Sequence, residues 1–296
     1  MKSMISYGKR SGRDMKKIMI TGCGGQLGHA MNQYYGTSTE YECVNTDVGE
    51  LDITNVDAVL SFAREVKPYA IVNCAAYTDV NKCESEKDLA FRINAIGPRN
   101  LAIAASETGA KLIQISTDYV FPGTENRELN EFDATGPVSA YGTGKLAGEQ
   151  FVRDFADHYF IIRTAWLYGE GKNFVRTMLK LSETNEKVRV VKDQIGNPTS
   201  AKELAAAIAY LLPTDNYGLF HGTCEGSCSW AEFTSEIFRL AGKSTQVEPI
   251  TTAEYPTPAK RPAYSMLDNY MLRMTTDFRF AHWKDAIEEY IKKSCV

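Results

Sequence analysis

The chain has 296 residues, of which 44% are hydrophobic and 24% are charged, and this composition is typical of a globular protein rather than a disordered one. It carries 33 Lys and Arg against 37 Asp and Glu, so the net charge of −4 disfavours a general electrostatic affinity for nucleic acid. No apolar run reaches the roughly 18 residues of a membrane span, so no membrane partner is expected. The length suits one large α/β domain, or a cofactor domain with a smaller lobe.

The seven cysteines are scattered, show no CxxC spacing and do not pair with the four histidines in a zinc-like pattern, so we expect no metal site. The first 15 residues, MKSMISYGKRSGRDM, are basic and lack the apolar core of a secretory signal. We interpret residues 1–15 as a flexible leader. Scattered thiols without a secretory signal indicate the reducing cytoplasm.

From Lys16 onward, short apolar runs alternate with amphipathic stretches. In the first part of the chain this pattern predicts strands at 17–21, 41–46, 70–75, 111–117 and 159–164, and helices at 26–35, 56–66, 84–108 and 139–156. Gly97 and Pro98 should break or kink the long third helix. Later in the chain it predicts helices at 173–184, 201–212, 229–241 and 283–293, and strands at 188–191 and 218–221. Residues 249–262 hold four prolines, too many for regular structure.

Strands that alternate with helices imply right-handed βαβ units, and therefore a Rossmann-type, doubly wound parallel α/β sheet. We expect residues 16–168 and 189–227 to form a dinucleotide-binding domain of this type. Residues 169–188 and 228–296 would form a smaller C-terminal lobe that binds substrate. Ligands of such sheets bind beyond the carboxyl ends of the strands.

Gly22, Gly25 and Gly28 follow the first predicted strand and open the first predicted helix. The first glycine permits a tight turn, the second lets the backbone approach a pyrophosphate, and the third allows close packing of helix on strand. A glycine-rich turn without a ligand is the alternative. The strand before and the helix after favour a dinucleotide site.

Two carboxylates follow at the second strand. Asp47 ends that strand, where a carboxylate accepts hydrogen bonds from the adenosine ribose and repels a 2′-phosphate. It therefore favours NADH, with NADPH as a further option, although a solvated turn aspartate is the alternative. Asp52 could reach the adenine or cap the next turn.

Tyr141 and Lys145 stand four residues apart on a predicted helix, so they share one face. A free tyrosine, with a pKa of about 10, is a poor proton donor at neutral pH, and a nearby ammonium lowers that pKa. A surface Tyr and Lys would give the same spacing. Behind a glycine turn and a parallel sheet, the pattern predicts a catalytic acid.

Ser116 and Thr117 end a strand, where a hydroxyl can bond a substrate oxygen or the phenol of Tyr141, or close a turn.

The segments TGCGGQLG, NCAAYTDV, STDYVF, YGTGKLAGE, RTAWLYG and TPAKRP together resemble the extended short-chain dehydrogenase/reductases. The resemblance runs from about Lys16 to the C-terminus. It implies cofactor contacts by Gly25, Gln26, Leu27, Asp47, Asp52, Ile53, Ala75, Ala76 and Tyr77. It implies catalysis by Tyr141 beside Lys145, with Thr117 assisting, and substrate contacts by Thr117, Asp118, Trp166 and Arg261. A core aromatic is the alternative interpretation of Trp166.

The resemblance also implies an activity: the NAD(P)H-dependent reduction of the 4-keto group of dTDP-4-dehydro-L-rhamnose to dTDP-L-rhamnose. Dehydratases of the family carry an Asp-Glu pair where this chain has Asp118-Tyr119, which disfavours elimination. A 4-epimerase of nucleotide sugars and a non-catalytic dinucleotide-binding regulatory subunit are the alternatives. A homodimer is a further expectation from the resemblance.

Overall fold

The computed structural model describes residues 15–294, so the predicted leader lies outside the described residues except for Met15. The strands are β1 (Lys16–Thr21), β2 (Tyr41–Thr46), β3 (Ala70–Asn73), β4 (Lys111–Thr117), β5 (Tyr159–Thr164), β6 (Leu167–Tyr168), β7 (Lys187–Val191), β8 (Ile195–Gly196), β9 (Thr199–Ser200), β10 (Gly218–His221), β11 (Cys228–Ser229), β12 (Gln246–Ile250) and β13 (Tyr264–Ser265).

The α-helices are α1 (Gln26–Tyr35), α2 (Val56–Val66), α3 (Val80–Ser85), α4 (Lys87–Phe91), α5 (Gly97–Thr108), α6 (Ala140–Phe155), α7 (Phe174–Ser182), α8 (Ala201–Leu211), α9 (Trp230–Leu240), α10 (Tyr270–Thr275) and α11 (Trp283–Ser294). A π-helical turn, Arg92–Ile96, joins α4 to α5. Single 3-10 turns form at Asp118–Val120 and Thr252–Glu254.

Six parallel strands form the central sheet in the order β10-β5-β4-β3-β1-β2. From β1 the chain moves outward to β2 and then returns to β3 on the other side of β1. This reversal opens a crevice at the carboxyl ends of β1 and β3, where ligands of doubly wound sheets bind. The predicted fold class is confirmed.

Both faces of the sheet are covered, and the alternation of side chains along β1 shows how. Ile18 and Ile20 belong to a core that includes residues of α1 and α8, whereas Met19 between them belongs to a second core with residues of α2 and α5. Successive side chains of a strand point to opposite faces, so a strand covered on both sides is apolar throughout.

The ends of several elements follow from local signals. The Asn55 side chain accepts the Ala58 N–H at 3.1 Å and starts α2, which ends at Lys67 in the left-handed conformation before Pro68. Ser229 caps α9 through a reciprocal capping box with Glu232. These bounds lie within one residue of the predicted ones.

The region predicted as one long helix, 84–108, is instead α3, α4, the π-helical turn and α5. Pro98 is the second residue of α5 and directly follows the π-helical turn, where the change in hydrogen-bond register accommodates its missing N–H. The change in helix geometry precedes it, over Arg92–Ile96, and places the buried Asn94 against the loop after β3. Single π-helical turns of this kind often mark functional sites.

The later part of the chain forms small sheets. β12 pairs with β7, β8 lies between β11 and β13, and β6 pairs with β9. The expectation that the proline-rich stretch lacks regular structure is wrong for Pro249, which lies within β12 opposite Val190. A proline is tolerated there because β12 is an edge strand of a two-stranded sheet. Within residues 15–294, no helix combines the length and apolar character needed to cross a membrane.

Candidate active site

A cavity of about 840 Å³ opens at the carboxyl ends of the central strands. Fourteen of the predicted site residues line it: Gly22, Gly25, Gln26, Leu27, Asp47, Asp52, Ile53, Ala75, Ala76, Thr117, Asp118, Tyr141, Lys145 and Trp166. Gly28, Tyr77 and Arg261 do not line it. The fold thus brings together segments that lie far apart in the sequence.

The glycine turn closes one end of the cavity. Gly22 has a φ of +66°, and a Cβ at this position would lie 2.7 Å from the backbone of Ala75. Gly25 is the N-cap of α1, and no side chain of the described residues caps this helix, so its N-terminus faces the cavity without a competing ligand. An added Cβ on Gly28 would lie 2.5 Å from the carbonyl oxygen of Cys23. Gly28 therefore permits α1 to pack closely on the glycine turn, whereas the spacing predicts packing of helix on strand.

The two carboxylates after β2 differ in their hydrogen bonds. Asp47 accepts the Gly24 N–H at 3.1 Å and the Val48 N–H at 2.8 Å, which ties the end of β2 to the glycine turn. Asp52 accepts both the N–H and the hydroxyl of Thr54, at 2.9 and 2.8 Å. The capping alternative therefore describes Asp52, although its side chain also borders the cavity.

Buried polar side chains support the cavity floor. The Thr21 hydroxyl donates to Asn73 at 2.6 Å, and Asn73 donates to Gln114 at 2.7 Å, across three adjacent strands. Asn94 accepts the Tyr77 N–H at 2.9 Å and donates to the Tyr77 carbonyl at 3.0 Å. The Tyr77 hydroxyl donates to Glu86. The backbone of Tyr77 thus anchors the loop, while Ala75 and its neighbour Ala76 face the cavity.

Lys145 lies on α6, which begins where the Ser139 side chain accepts the Gly142 N–H at 3.1 Å. The Lys145 side chain is buried, with 4% exposure, and its Nζ donates to the Ile115 carbonyl at 2.6 Å. Burial lowers the pKa of Lys145 to about 8, although the nearby Glu149 carboxylate raises it. The ammonium ion and the neutral amine are therefore both accessible near physiological pH.

Tyr141 lines the same cavity one helical turn earlier, and its ring packs edge-on against Tyr119 with centroids 5.4 Å apart. Burial raises the pKa of Tyr141, the Asp118 charge raises it further, and the Thr117 hydroxyl lowers it. This direction differs from the expectation that Lys145 makes the phenol more acidic. Desolvation of the phenolate dominates the shift, and the Lys145 ammonium is hydrogen-bonded to a backbone carbonyl.

A buried ion pair lies below Lys145 and was not predicted from the sequence. Arg163 donates to both oxygens of Glu149, at 2.8 and 2.7 Å, and the Ser116 hydroxyl donates to Glu149 at 2.6 Å. Glu149 follows Lys145 by four residues, as Lys145 follows Tyr141. Glu149 could have been found from the sequence, because the four-residue spacing places it on the same helical face as Tyr141 and Lys145.

Several buried polar atoms on the cavity wall have no hydrogen-bond partner among the described residues. They are Gln26 Oε1, Asp118 Oδ2 and Thr164 Oγ1. Asp118 accepts the Thr117 hydroxyl at 2.9 Å through its other oxygen, and burial raises its pKa to about 6. Buried polar groups normally have partners. Polar ligands bound in the cavity, such as a dinucleotide and a sugar, would supply the missing hydrogen-bond partners of these atoms.

Trp166 and Arg261, the last two predicted substrate residues, differ in their relation to the cavity. Trp166 lines the cavity, and its ring stacks on that of Trp230 with centroids 3.5 Å apart. Arg261 donates to the Tyr119 hydroxyl at 3.1 Å and to Asn81 at 3.3 Å. It thus reaches the site through Tyr119, which lines the cavity and which sequence reasoning identifies only as the replacement for the glutamate of dehydratases.

The doubly wound sheet, the glycine turn and the Tyr–Lys pair define a Rossmann-type protein with a dinucleotide site and a candidate proton donor. The family model described as "RmlD substrate binding domain" matches residues 15–296. The chain therefore belongs to the RmlD family. Within residues 15–294, no cluster of three or more His, Cys, Asp or Glu side chains is placed to hold a metal ion.

Individual relatives agree with this assignment. The chain is 39% identical to the spore coat polysaccharide biosynthesis protein SpsK of Bacillus subtilis (strain 168), covering 94% of this chain and 98% of that protein. A crystal structure of a dTDP-4-dehydrorhamnose reductase from Clostridium acetobutylicum ATCC 824 matches with a TM-score of 0.93 and 51% identity, over 95% of this chain and 100% of the other. The Bacillus anthracis str. Ames dTDP-4-dehydrorhamnose reductase in complex with NADP matches with a TM-score of 0.92 and 42% identity, over 94% and 99%.

Proposed function

We propose that this protein reduces the 4-keto group of dTDP-4-dehydro-L-rhamnose to give dTDP-L-rhamnose, with NADH or NADPH as the reductant. One observation carries the proposal. Tyr141, Lys145 and Thr117 line the same cavity as the glycine turn of a doubly wound sheet. Relatives that cover almost the whole chain are named for this reduction.

The residues at the carboxyl ends of β1, β2 and β3 would hold the cofactor. The free N-terminus of α1 suits the pyrophosphate, Asp47 the adenosine ribose, and Ala75 and Ala76 the central part of the dinucleotide. When bound, the dihydronicotinamide supplies the hydride that reduces the carbonyl carbon. Lys145 would bond the hydroxyls of the adjoining ribose.

Tyr141 would donate its phenolic proton to the sugar oxygen as negative charge develops there. Its raised pKa in the free protein keeps this proton in place until an acceptor of high basicity is formed. Thr117 would orient the same oxygen. Asp118, with one unpartnered oxygen, would accept a hydrogen bond from a sugar hydroxyl.

Mixing the protein with NADH and a panel of nucleotide-linked 4-keto sugars, and following absorbance at 340 nm, tests the function. We expect oxidation of NADH with the dTDP-linked keto sugar. A 4-epimerase would consume no net NADH, and a regulatory subunit would bind NADH without turnover. Either outcome would contradict the proposal.

Tyr141→Phe should reduce turnover at least about 100-fold and leave NADH affinity unchanged, because it removes only the proton donor. Tyr34→Phe is the matched control, since the Tyr34 side chain is 51% exposed on α1. If Tyr141→Phe keeps wild-type turnover, Tyr141 is not the acid.

Cofactor preference is a second part of the proposal. The two cations that line the cavity, among the described residues, are Lys145 and Lys172. The adenosine end instead presents the carboxylates of Asp47 and Asp52. We infer a lower KM for NADH than for NADPH, because a 2′-phosphate would lie near Asp47 without a cation. Equal KM values for the two cofactors would contradict this inference.

The remaining expectations stay proposals. We infer the division into a dinucleotide-binding domain (16–168 and 189–227) and a substrate-binding lobe (169–188 and 228–296), since the cavity is lined from both. A homodimer, to be tested by sedimentation, is suggested by the resemblance alone. A cytoplasmic location is suggested by the free thiols of the described cysteines.

A further inference from the structure

Trp166 has an unusual backbone conformation. Its φ is +48°, and Lys67, at the end of α2, is the one other non-glycine residue with positive φ in the described chain. A bulky side chain is strained in the left-handed region, and strain of this kind is concentrated at functional sites. Trp166 stands between β5 and β6 and faces the cavity. Its conformation therefore requires support from the surrounding residues.

Trp230 and Gly196 contact the indole of Trp166, and Phe174 contacts Trp230. Trp230, the first residue of α9, lies parallel to the Trp166 ring, with 3.5 Å between centroids and 6° between planes. The ring of Phe174 packs behind Trp230 at 4.4 Å. A Cβ added to Gly196 would lie 2.6 Å from Cε2 and 2.7 Å from Nε1 of Trp166. The indole therefore lies between an aromatic face and a backbone that permits no side chain.

The position of this indole relates it to the catalytic side chains. Thr164 pairs in register with Thr117, and Trp166 follows Thr164 by two residues. The indole thus lines the same cavity as Thr117 and Tyr141. A sugar whose carbonyl oxygen is placed near Tyr141 would lie beside the Trp166 ring.

We propose that Gly196 and Trp230 are positioning residues that hold Trp166 as the wall of the subsite for the sugar of the nucleotide-sugar substrate. This inference rests on the proposed function. Trp230 acts from α9 and Gly196 from β8, so the wall is complete only when these later elements pack against Trp166. Aromatic rings give such a wall a large rigid area at a small loss of conformational entropy.

Three variants test the inference: Trp230→Ala, Trp230→Phe and Gly196→Ala. We expect Trp230→Ala and Gly196→Ala to raise the KM for the keto sugar about tenfold, with kcat changed less than threefold. Trp230→Phe should recover most of the loss, because a phenyl ring still supports the indole. NADH affinity should change less than twofold in all three.

Two binding probes separate the sugar subsite from the nucleotide subsite. The Kd of dTDP-L-rhamnose, measured by calorimetry, should rise about tenfold in Trp230→Ala and Gly196→Ala, whereas the Kd of dTDP should stay within twofold of wild type. Equal losses for the two probes would overturn the assignment to the sugar. Unchanged affinity for both would overturn the positioning role itself.

Matched controls distinguish this effect from a general loss of structure. Trp283→Phe alters a buried tryptophan that packs on Phe233 and does not line the cavity. Gly136→Ala adds a Cβ with only ordinary contacts, the nearest at 3.7 Å. Both should bind dTDP-L-rhamnose like wild type. If wild type itself binds neither dTDP-L-rhamnose nor any keto sugar, the proposed function fails, independently of the variants.

Discussion

Two buried cations lie close together in this protein, and their surroundings differ. Arg163 on β5 is 2% exposed and makes a bidentate ion pair with Glu149. Lys145 on α6 is 4% exposed, and its hydrogen bond is to a neutral carbonyl, that of Ile115. Only Lys145 lines the cavity at the strand ends.

A buried cation can therefore stabilise the fold or take part in a reaction, depending on whether a carboxylate pairs with it. A planar guanidinium matched to a carboxylate keeps its charge and fixes the strand against the helix. An ammonium ion without a carboxylate partner is destabilised by desolvation, so its pKa falls to about 8. Buried ionisable groups of this second kind are typical of active sites.

Breaking the ion pair should have the largest effect on stability. Arg163→Met leaves the Glu149 carboxylate buried without its cation, and we expect the free energy of unfolding to fall by about 3–5 kcal/mol. Urea denaturation measures this change. The double variant Arg163→Met/Glu149→Gln should lose less than the sum of the single variants, because no charge is left uncompensated. Additive losses would show that the pair is not coupled.

Replacing the other cation should have the opposite sign. Lys145→Met removes a charge that burial disfavours, offset in part by the lost hydrogen bond to Ile115. We expect the free energy of unfolding at pH 7 to rise by roughly 1–3 kcal/mol. Turnover should fall at least about 100-fold. A variant that is both less stable and inactive would indicate a structural role for Lys145.

The stability difference between wild type and Lys145→Met should depend on pH. The pKa of Lys145 is about 8 in the folded protein, below its value of about 10.4 in the unfolded chain. Between these values the unfolded chain binds more protons, so this group makes wild type more stable as pH rises. The advantage of Lys145→Met should therefore be full below pH 8 and vanish above about pH 10.4. Urea titrations of both proteins at several pH values would show it.

The titration of Lys145 should also make activity depend on pH. If protonated Lys145 is the active form, kcat/KM should fall about tenfold per pH unit above pH 8. Lys145→Arg provides the control, because a guanidinium stays charged throughout this range. Its activity is expected to be lower than wild type but independent of pH between 8 and 10. An identical profile in both proteins would assign the titration to another group.

The sequence predicted the cofactor end of the site well because its determinants are local. The strand, the glycine turn and the helix at 26–35 are consecutive, and each carries its own pattern of apolar residues and glycines. The strands 41–46 and 111–117 also have the predicted bounds. Asp47 could be placed at a strand end because parallel strands finish at one edge of the sheet.

The substrate end could not be predicted in the same way. Trp166 meets Trp230 and Gly196, which are remote in sequence, and β8 and β11 have two residues each, too short for a periodic pattern. The pairing of Arg163 with Glu149 likewise depends on the packing of α6 against β5. The raised pKa of Tyr141 follows from burial, which spacing along a helix does not reveal.

The smallest expected effect concerns a third cation beside Glu149. Arg153 on α6 approaches the Glu149 carboxylate at 3.9 Å, but its side chain is 39% exposed. Water screens such a charge, so Arg153→Ala should change the free energy of unfolding by less than about 0.5 kcal/mol. Urea denaturation of Arg153→Ala and Arg163→Met compares the losses in unfolding free energy. The difference between them measures what burial and bidentate geometry add for an arginine that pairs with Glu149. A loss comparable to that of Arg163→Met would mean that Glu149 depends on total positive charge nearby rather than on its buried partner on β5.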